Sequence, residues 1–439
     1  MPEKEPTILQ PDESALDRKS ERNISQRQLL KLPRPFAKKR LHPFPRNPRS
    51  LEVILDQFTG EGDECRSEEP IYRAGQLLRG AVKFTLSEPI HYKRLLVRFH
   101  GLAKVWWLEG TGDQRREYQN LDTYFHDVLV LKQATESEHD ELCEGDHVFE
   151  FQYCLPPNLP CSVERVGAYI RYSVKAIMDR LDERSWASLN PTSKKYFTVI
   201  DDVNLNEIPN VLISSSYFKN KKLLRGVCGA GSLRLVAFTD RYGYCPGETI
   251  YITVSCTNNS LFTVRKVVIS LQQLVMYTSS TGHRKCQWNC LLSSTKGGCS
   301  RQGGVFGVSH LPLHIPSIPM TCGEHKCRCI STSYSIKIKF RIRKGLAYTI
   351  DLPVVIGSIP ISIFASLKHG IIHPRPTHLE CVMKGGSIED DDDVTNACPG
   401  DACQLHCFTP AYTYYDWRGH YPAPHKLPYV ITGNKLLKY

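Results

Sequence analysis

The chain has 439 residues, of which 41% are hydrophobic, and a formal net charge of +11. That length exceeds a single β-sandwich and suits two. Eleven Lys and Arg residues, against the one acid Glu21, lie between Arg18 and Arg49, so this segment carries +10 and the rest is close to neutral; a basic nucleic-acid surface on the folded part is excluded, and no nucleic-acid partner is expected.

Residues 1–50 are charged, polar and proline-punctuated, and read as a disordered basic extension. Their start, Met1-Pro-Glu-Lys-Glu-Pro, lacks the apolar core of a secretory signal. From Leu51 the texture changes to strands and turns. Leu51-Glu-Val-Ile-Leu-Asp is a short strand and Tyr72-Arg-Ala-Gly is a turn. Leu78, Gly80, Val82 and Phe84 alternate with Arg79, Ala81 and Lys83, the pattern of a half-buried antiparallel strand. Leu95, Val97 and Phe99 form the inward row of the next strand.

The chain then repeats itself. Tyr72-Arg-Ala-Gly-Gln recurs as Tyr244-Cys-Pro-Gly-Glu, 172 residues on. Ile250, Ile252, Val254 and Cys256 restate the first strand, and Val267, Ile269 and Leu271 the second. Pro246 presets the first central position of a turn, and Gly247 takes the positive φ that the second requires; Gly75 stands at the equivalent place. A third pair, Tyr172-Ser-Val-Lys-Ala-Ile and Tyr334-Ser-Ile-Lys-Ile-Lys, has an offset of 162, so the loops differ in length between copies. A linker is expected over 201–231, with Pro209, Ser214 to Ser216 and the basic Lys219-Asn-Lys-Lys. Strand signals fade after Ile361, and 361–439 reads as a mostly disordered tail. The most apolar stretch, Tyr348 to Leu367, is broken by Asp351, Pro353 and Pro360 and reads as a strand and its exit, not a membrane span.

These residues resemble the α-arrestins, the arrestin domain-containing branch of the arrestin superfamily. The block from Tyr72 to Trp107 is similar to that family's first sheet. The most specific match is Leu155-Pro-Pro-Asn-Leu-Pro-Cys-Ser-Val-Glu followed by Gly167-Ala-Tyr-Ile-Arg-Tyr-Ser-Val-Lys-Ala. The resemblance covers roughly 51–360, with the Cys- and Gly-rich segment from Ser280 to Gly307 reading as an inserted loop. It implies an all-β chain of two tandem arrestin-like, immunoglobulin-type sandwiches, at 51–200 and 232–360, with a disordered arm and tail. It further implies a non-enzymatic cytosolic adaptor that binds membrane-protein cargo, transporters or receptors, and is recruited to the plasma membrane or endosomes. In many members, tail PPxY motifs recruit the WW domains of HECT-type ubiquitin ligases. Here the nearest segment is Thr409-Pro410-Ala411-Tyr412, in which Thr409 replaces the first proline and costs preorganisation of the extended PPII form. Thr409, Pro410 and Tyr412 are the expected WW-binding residues. The alternatives are a trafficking scaffold without ligase coupling, and a metal- or redox-responsive regulator.

Other constellations are weaker. The Lys38-Lys39-Arg40 run is the expected contact with an anionic membrane surface, with a plain solvated arm and a nuclear-import or nucleic-acid arm as the alternatives. Ser387 ahead of the acidic run Glu389 to Asp393 suits an acidophilic kinase. Cys322-x4-Cys327-x-Cys329 with His325, and Cys398-x4-Cys403-x3-Cys407 with His406, gather soft ligands, but neither has the usual CxxC spacing. Seventeen scattered cysteines read as reduced cytosolic thiols, and no metal ligand or cofactor is assigned. No GxSxG, P-loop or HExxH stands in the sequence, and no catalytic residue is assigned.

Overall fold

A computed structural model describes residues 50–56, 70–135, 141–180, 190–225, 228–300, 302–343, 346–362, 376–383, 408–416, 430–432 and 435–437, with Pro48. Lys38, Lys39, Arg40, Ser387, the 389–393 acids and the Cys398–Cys407 cluster lie outside these residues.

The first sandwich has a small sheet in the order β1 (Ser50–Leu55), β3 (Leu77–Leu86), β7 (Gly145–Cys154). Its large sheet runs β2 (Ile71–Arg73), β10 (Thr192–Ile200), β9 (Ala168–Arg180), β4 (Ile90–Glu109), β5 (Arg116–Gln133). Two short strands flank it: β6 (Glu141–Leu142) on β4 and β8 (Val163–Arg165) on β9. The second sandwich repeats the plan. Its small sheet is β11 (Ser216–Arg225), β12 (Cys228–Thr239), β14 (Thr249–Ser260), β17 (Val305–His314), and its large sheet is β13 (Gly243–Tyr244), β19 (Leu346–Ile356), β18 (Ile330–Arg343), β15 (Val264–Thr278), β16 (Arg284–Ser300). In each copy the short strand that leads into the glycine turn pairs parallel with the last strand of the large sheet, whereas the other strand pairings are antiparallel.

The duplication reaches single hydrogen bonds. Gln76 Oε1 accepts from Arg73 N at 2.8 Å, and Glu248 Oε2 accepts from Cys245 N at the same distance. Gly75 and Gly247 have φ of +77° and +92°, a region only glycine occupies without strain. Tyr172 donates its hydroxyl to Pro160 O at 2.7 Å, and Tyr334 to Pro319 O at 2.5 Å. Both tyrosines are buried, and each holds a proline carbonyl upstream of its own strand. The alternating rows read from the sequence are the cores: Leu78, Val82, Leu95 and Val97 in the first copy and Ile250, Ile252, Val267 and Leu271 in the second are all inaccessible to solvent.

Three segments depart from the sequence reading. Ser216–Arg225, expected inside the linker, is the edge strand β11; its alternation is masked because an edge strand keeps Lys on its open side. The segment expected as an inserted loop over 280–307 is mostly β16, paired with β15 along its length; its small, polar residues conceal it because both its faces are largely wet. The expected tail contains a hairpin. β20 (Pro376–Glu380) pairs antiparallel with β21 (Ala411–Tyr415), the latter buried on nearly every residue. A further short pair joins β22 (Val430–Thr432) to β23 (Lys435–Leu437). No helix among the described residues is long and apolar enough to cross a membrane.

Candidate functional site at the seam between the sandwiches

The first core does not stop at the domain edge. Val275, Tyr277, Cys322, Cys327, Cys329 and Ile330 of the second sandwich join the cluster centred on Phe99, Phe151 and Tyr172. Polar contacts frame this apolar join. Asn120 Nδ2 donates to Thr278 O at 3.0 Å, Ser280 N to Gln119 O at 2.9 Å, and Glu109 meets His283 at 2.9 Å. The His283 ring stacks on Tyr118 with centroids 4.3 Å apart. The Glu109 carboxyl is held below its ordinary value: the effect of desolvation is outweighed by its hydrogen bonds from His283 and Trp107. At the other end of the seam Lys326 pairs with Asp201, and Ser358 Oγ donates to Asp201 O at 2.9 Å.

At the middle lies Arg165, only 4% exposed. Its Nη2 donates to Gln273 Oε1 at 2.9 Å across the seam and its Nη1 to Glu164 O at 2.7 Å, while its Nε has no acceptor among the described residues. A buried guanidinium held by an amide and a carbonyl is costly, because each unmade bond leaves a desolvated donor. Its Nη2 also contacts Met383 Sδ of the tail at 3.4 Å. The adjacent Glu164 is spoken for: Arg171 grips it with both Nε and Nη2, at 2.6 and 2.9 Å. The sequence reading did not place Arg165; the signal was there in the Glu164-Arg165 pair, two charges set inside an apolar block.

The tail hairpin covers the same seam. Tyr412 is fully buried and donates its hydroxyl to Ser162 O of the first sandwich at 2.8 Å; Ala411 N donates to Thr198 Oγ1 at 3.3 Å. On the second sandwich, Tyr415 N donates to Pro246 O at 3.0 Å and its hydroxyl to Ser358 O at 2.7 Å, and Ser317 Oγ donates to Leu379 O at 2.7 Å. Ile71, Cys161, Ile200, Met320, Cys381, Ala411 and Tyr412 make a small apolar cluster drawn from both sandwiches and the tail. Burial pushes the Cys161 and Tyr412 groups well above their ordinary values, so both stay neutral. Gly247 has a second duty here: a Cβ at that position would lie 2.0 Å from Tyr415 O, whereas one at Gly75 would meet nothing within 4 Å.

Of the expected WW-binding residues, Tyr412 is in strand β21, and Thr409 and Pro410 lead into it. Pro410 and Tyr412 are buried and Thr409 is half-buried, so this conformation offers neither the proline nor the tyrosine to an aromatic groove. The reason lies in Ala411–Tyr415, whose aromatic side chains find apolar partners on two domains at once.

Outside the seam, the open face of the first large sheet forms a cleft of about 500 Å³ lined by His100, Lys104, Tyr169, Arg171, Lys194 and Tyr196, and reached by Ser280 of the second sandwich. Arg171 lies over the Tyr169 ring at 4.2 Å and Lys194 over Tyr196 at 5.0 Å. Phe408 of the tail stacks on the Tyr196 ring, at 5.5 Å. The edge strand β5 continues beside it, with Leu121 59% and Val128 52% exposed.

Of the cysteine clusters, Cys327 and Cys329 are buried at the seam, Cys322 is buried in the same core outside their close group, and His325 is exposed. The Cys327 thiol is lowered to about 7, chiefly by its hydrogen bond with Cys329, and the Cys322 thiol is raised to about 12 by burial. Cys286 and Cys290 are exposed on β16.

Residues 63–206 match the arrestin (or S-antigen) N-terminal domain, and residues 230–361 its C-terminal domain. The chain is similar to arrestin domain-containing protein 17 of Caenorhabditis elegans, with 29% identity over 70% of this chain and 71% of that one. It is 26% identical to the thioredoxin-interacting protein of Homo sapiens, over 71% of this chain and 74% of that one. It is 24% identical to human arrestin domain-containing protein 1, over 70% of this chain and 64% of the relative.

Proposed function

The chain belongs to the α-arrestin family of the arrestin superfamily, and from that premise we propose that it is a non-enzymatic cytosolic adaptor that binds membrane-protein cargo and couples it to endocytic or endosomal sorting. The observation that carries this reading is the basic, aromatic-lined cleft on the first large sheet, set on a sandwich whose core extends into residues of the second. The frame places Lys104 and Lys194 along one face with tyrosines between them, beside Arg171, whose charge is already paired with Glu164. Such a face suits an acidic cytoplasmic segment of a transporter or receptor, because charge steers the encounter and the rings supply desolvated contact. Strand β5 adds exposed apolar residues, and as the edge strand of its sheet it offers an extended segment a place to pair beyond its contact with Ser280.

The test is proximity labelling in cells with the wild type and with Lys104→Glu/Lys194→Glu. Loss of membrane-protein partners in the variant, with retained folding, supports the reading. An unchanged partner list removes the cleft from it.

Ligase recruitment through Thr409, Pro410 and Tyr412 is conditional in this proposal, since Tyr412 must leave its pocket first. The expected outcome is that a synthetic peptide spanning 404–416 binds HECT-ligase WW domains more tightly than the full chain does. A peptide that fails to bind ends the ligase arm and leaves the cargo scaffold. The Lys38-Lys39-Arg40 run, in the same proposal, adds attraction to anionic lipid; vesicle co-sedimentation that is unchanged when the three are replaced by Ala would discard it.

A further inference from the structure

We propose that Asp122, Cys327 and Cys329 hold a soft divalent metal ion, zinc by preference, that ties the two sandwiches together. One ligand atom from each of these residues lies within 4.8 Å of the others. Asp122 stands on β5 of the first sandwich, and the cysteines stand on the loop that enters β18 of the second. They are 205 positions apart in the chain, counting from 122 to 327, and only the docking of the domains brings them together.

Several local contacts build the site. Asp122 pairs with Ala103 across β4 and β5, and Cys329 Sγ rests 3.8 Å from Ala103 O, so carboxylate and sulfur converge on one rung of the sheet. Arg328 N donates to Asp122 Oδ2 at 3.4 Å, which draws the carboxylate to the loop between the two sulfurs. Ile330 N donates to Cys327 Sγ at 3.3 Å, a bond that favours negative charge on sulfur. The Tyr124 hydroxyl oxygen is buried too; it interacts with the Cys327 sulfur and lies in the field of Cys327 and Asp122. It, or a water, completes a four-coordinate shell.

The donor set decides the ion. Two sulfurs and one oxygen suit zinc at the tetrahedral geometry it prefers, and are too soft and too few for calcium or magnesium. Binding breaks two S–H bonds and forms two S–metal bonds, and both protons leave to solvent. The loaded site carries two thiolates and a carboxylate against a charge of 2+, a net of −1, which the Arg328 and Ile330 amides and the surrounding peptide dipoles accommodate. The seam gives the ion a structural reason: it replaces a buried pair of polar thiols with a cross-link that spans the domains.

The experiment uses the full chain, purified without a metal-binding tag, reconstituted with zinc and desalted, then measured for zinc per chain by elemental mass spectrometry. Replacement by cobalt gives an intense thiolate-to-metal absorption that reports sulfur ligation directly. The expected results are that Cys327→Ser/Cys329→Ser lowers the zinc content by one ion per chain and abolishes that absorption, whereas Cys398→Ser/Cys403→Ser/Cys407→Ser leaves this ion in place. Because the cysteines are buried and their loss could disturb folding, Asp122→Asn serves as the second variant. It sits at a half-buried position and should weaken zinc on the order of tenfold or more in competition with a chromophoric chelator while thermal unfolding of the metal-free protein is unchanged. A wild-type chain that takes up no zinc, or one whose zinc and cobalt absorption survive the Cys327/Cys329 change, overturns the proposal. So does a Cys327–Cys329 disulfide in protein purified without oxygen. None of these readouts involves cargo, so they stand apart from the adaptor reading.

Discussion

Removing the Tyr412 side chain is the most informative perturbation of the tail. The ring is fully buried, and its hydroxyl donates to Ser162 O, a backbone acceptor. Tyr412→Phe deletes the bond and leaves that carbonyl unpaired, which costs about 1–2 kcal/mol. Tyr412→Ala deletes the ring as well and costs about 3–5 kcal/mol, as large-to-small changes in packed sites do. Tyr412 belongs to the small cluster that joins tail and sandwiches and to neither of the two large cores. The cost should therefore fall on tail docking and not on the folding of either sandwich. At about 1.4 kcal/mol per tenfold, the undocked population rises roughly five- to thirtyfold for Phe and from a hundredfold to a few thousandfold for Ala. Amide exchange of Ala411–Tyr415 and Pro376–Glu380, followed by mass spectrometry, measures this directly. Faster exchange in those two strands, graded Phe before Ala, with the exchange of β4 and β15 unchanged, is the expected result. Uniform acceleration through both sandwiches would refute the separation of tail from fold, and no acceleration would refute the docking itself.

Further predictions exploit the duplicated turn. Gly75→Ala meets no atom and should cost about 1 kcal/mol from its positive φ alone, whereas Gly247→Ala forces a Cβ into Tyr415 O and should also speed exchange in the tail hairpin; equal tail exchange in both variants would contradict this. Glu248→Gln keeps the bond to Cys245 N, as Gln76 does in the first copy, but leaves the buried Arg241 with one carboxylate fewer. It should destabilise the second sandwich by about 3 kcal/mol in urea unfolding, against about 1 kcal/mol for Gln76→Ala in the first. Chelation, if the seam holds zinc, should quicken exchange around Thr278–His283 on one side and Val105–Trp107 on the other, with no change in the strands far from it.

The parts of this fold that were legible in the sequence are those decided locally. A positive-φ glycine behind Tyr72 or Tyr244 and an alternating row such as Ile250 to Cys256 need no distant partner to be recognised. What was hidden depends on partners far along the chain. Ala411–Tyr415 is buried on both faces, so no alternation marks it as a strand, and its aromatic run looked like the content of an extended tail. Lys219, Lys221 and Lys222 on β11 gave that strand the composition of a linker. The cleft residues Lys104, Arg171 and Lys194 come from three strands and read singly as the polar sides of sheets. Asp122 gave no hint at all, since a carboxylate on an edge strand usually faces water, and only the neighbouring domain makes it a ligand.

The cluster of Ile71, Cys161, Ile200, Met320, Cys381 and Tyr412 bears on how this gene should be cut. A fragment ending at residue 361 keeps every strand of both sandwiches, and by domain boundaries it is whole. It nevertheless loses the roof of an apolar trench that neither sandwich can close by itself. Such a fragment leaves Ile200 and Met320 facing solvent and invites self-association, so oligomers formed by it would report the cut and not the native assembly.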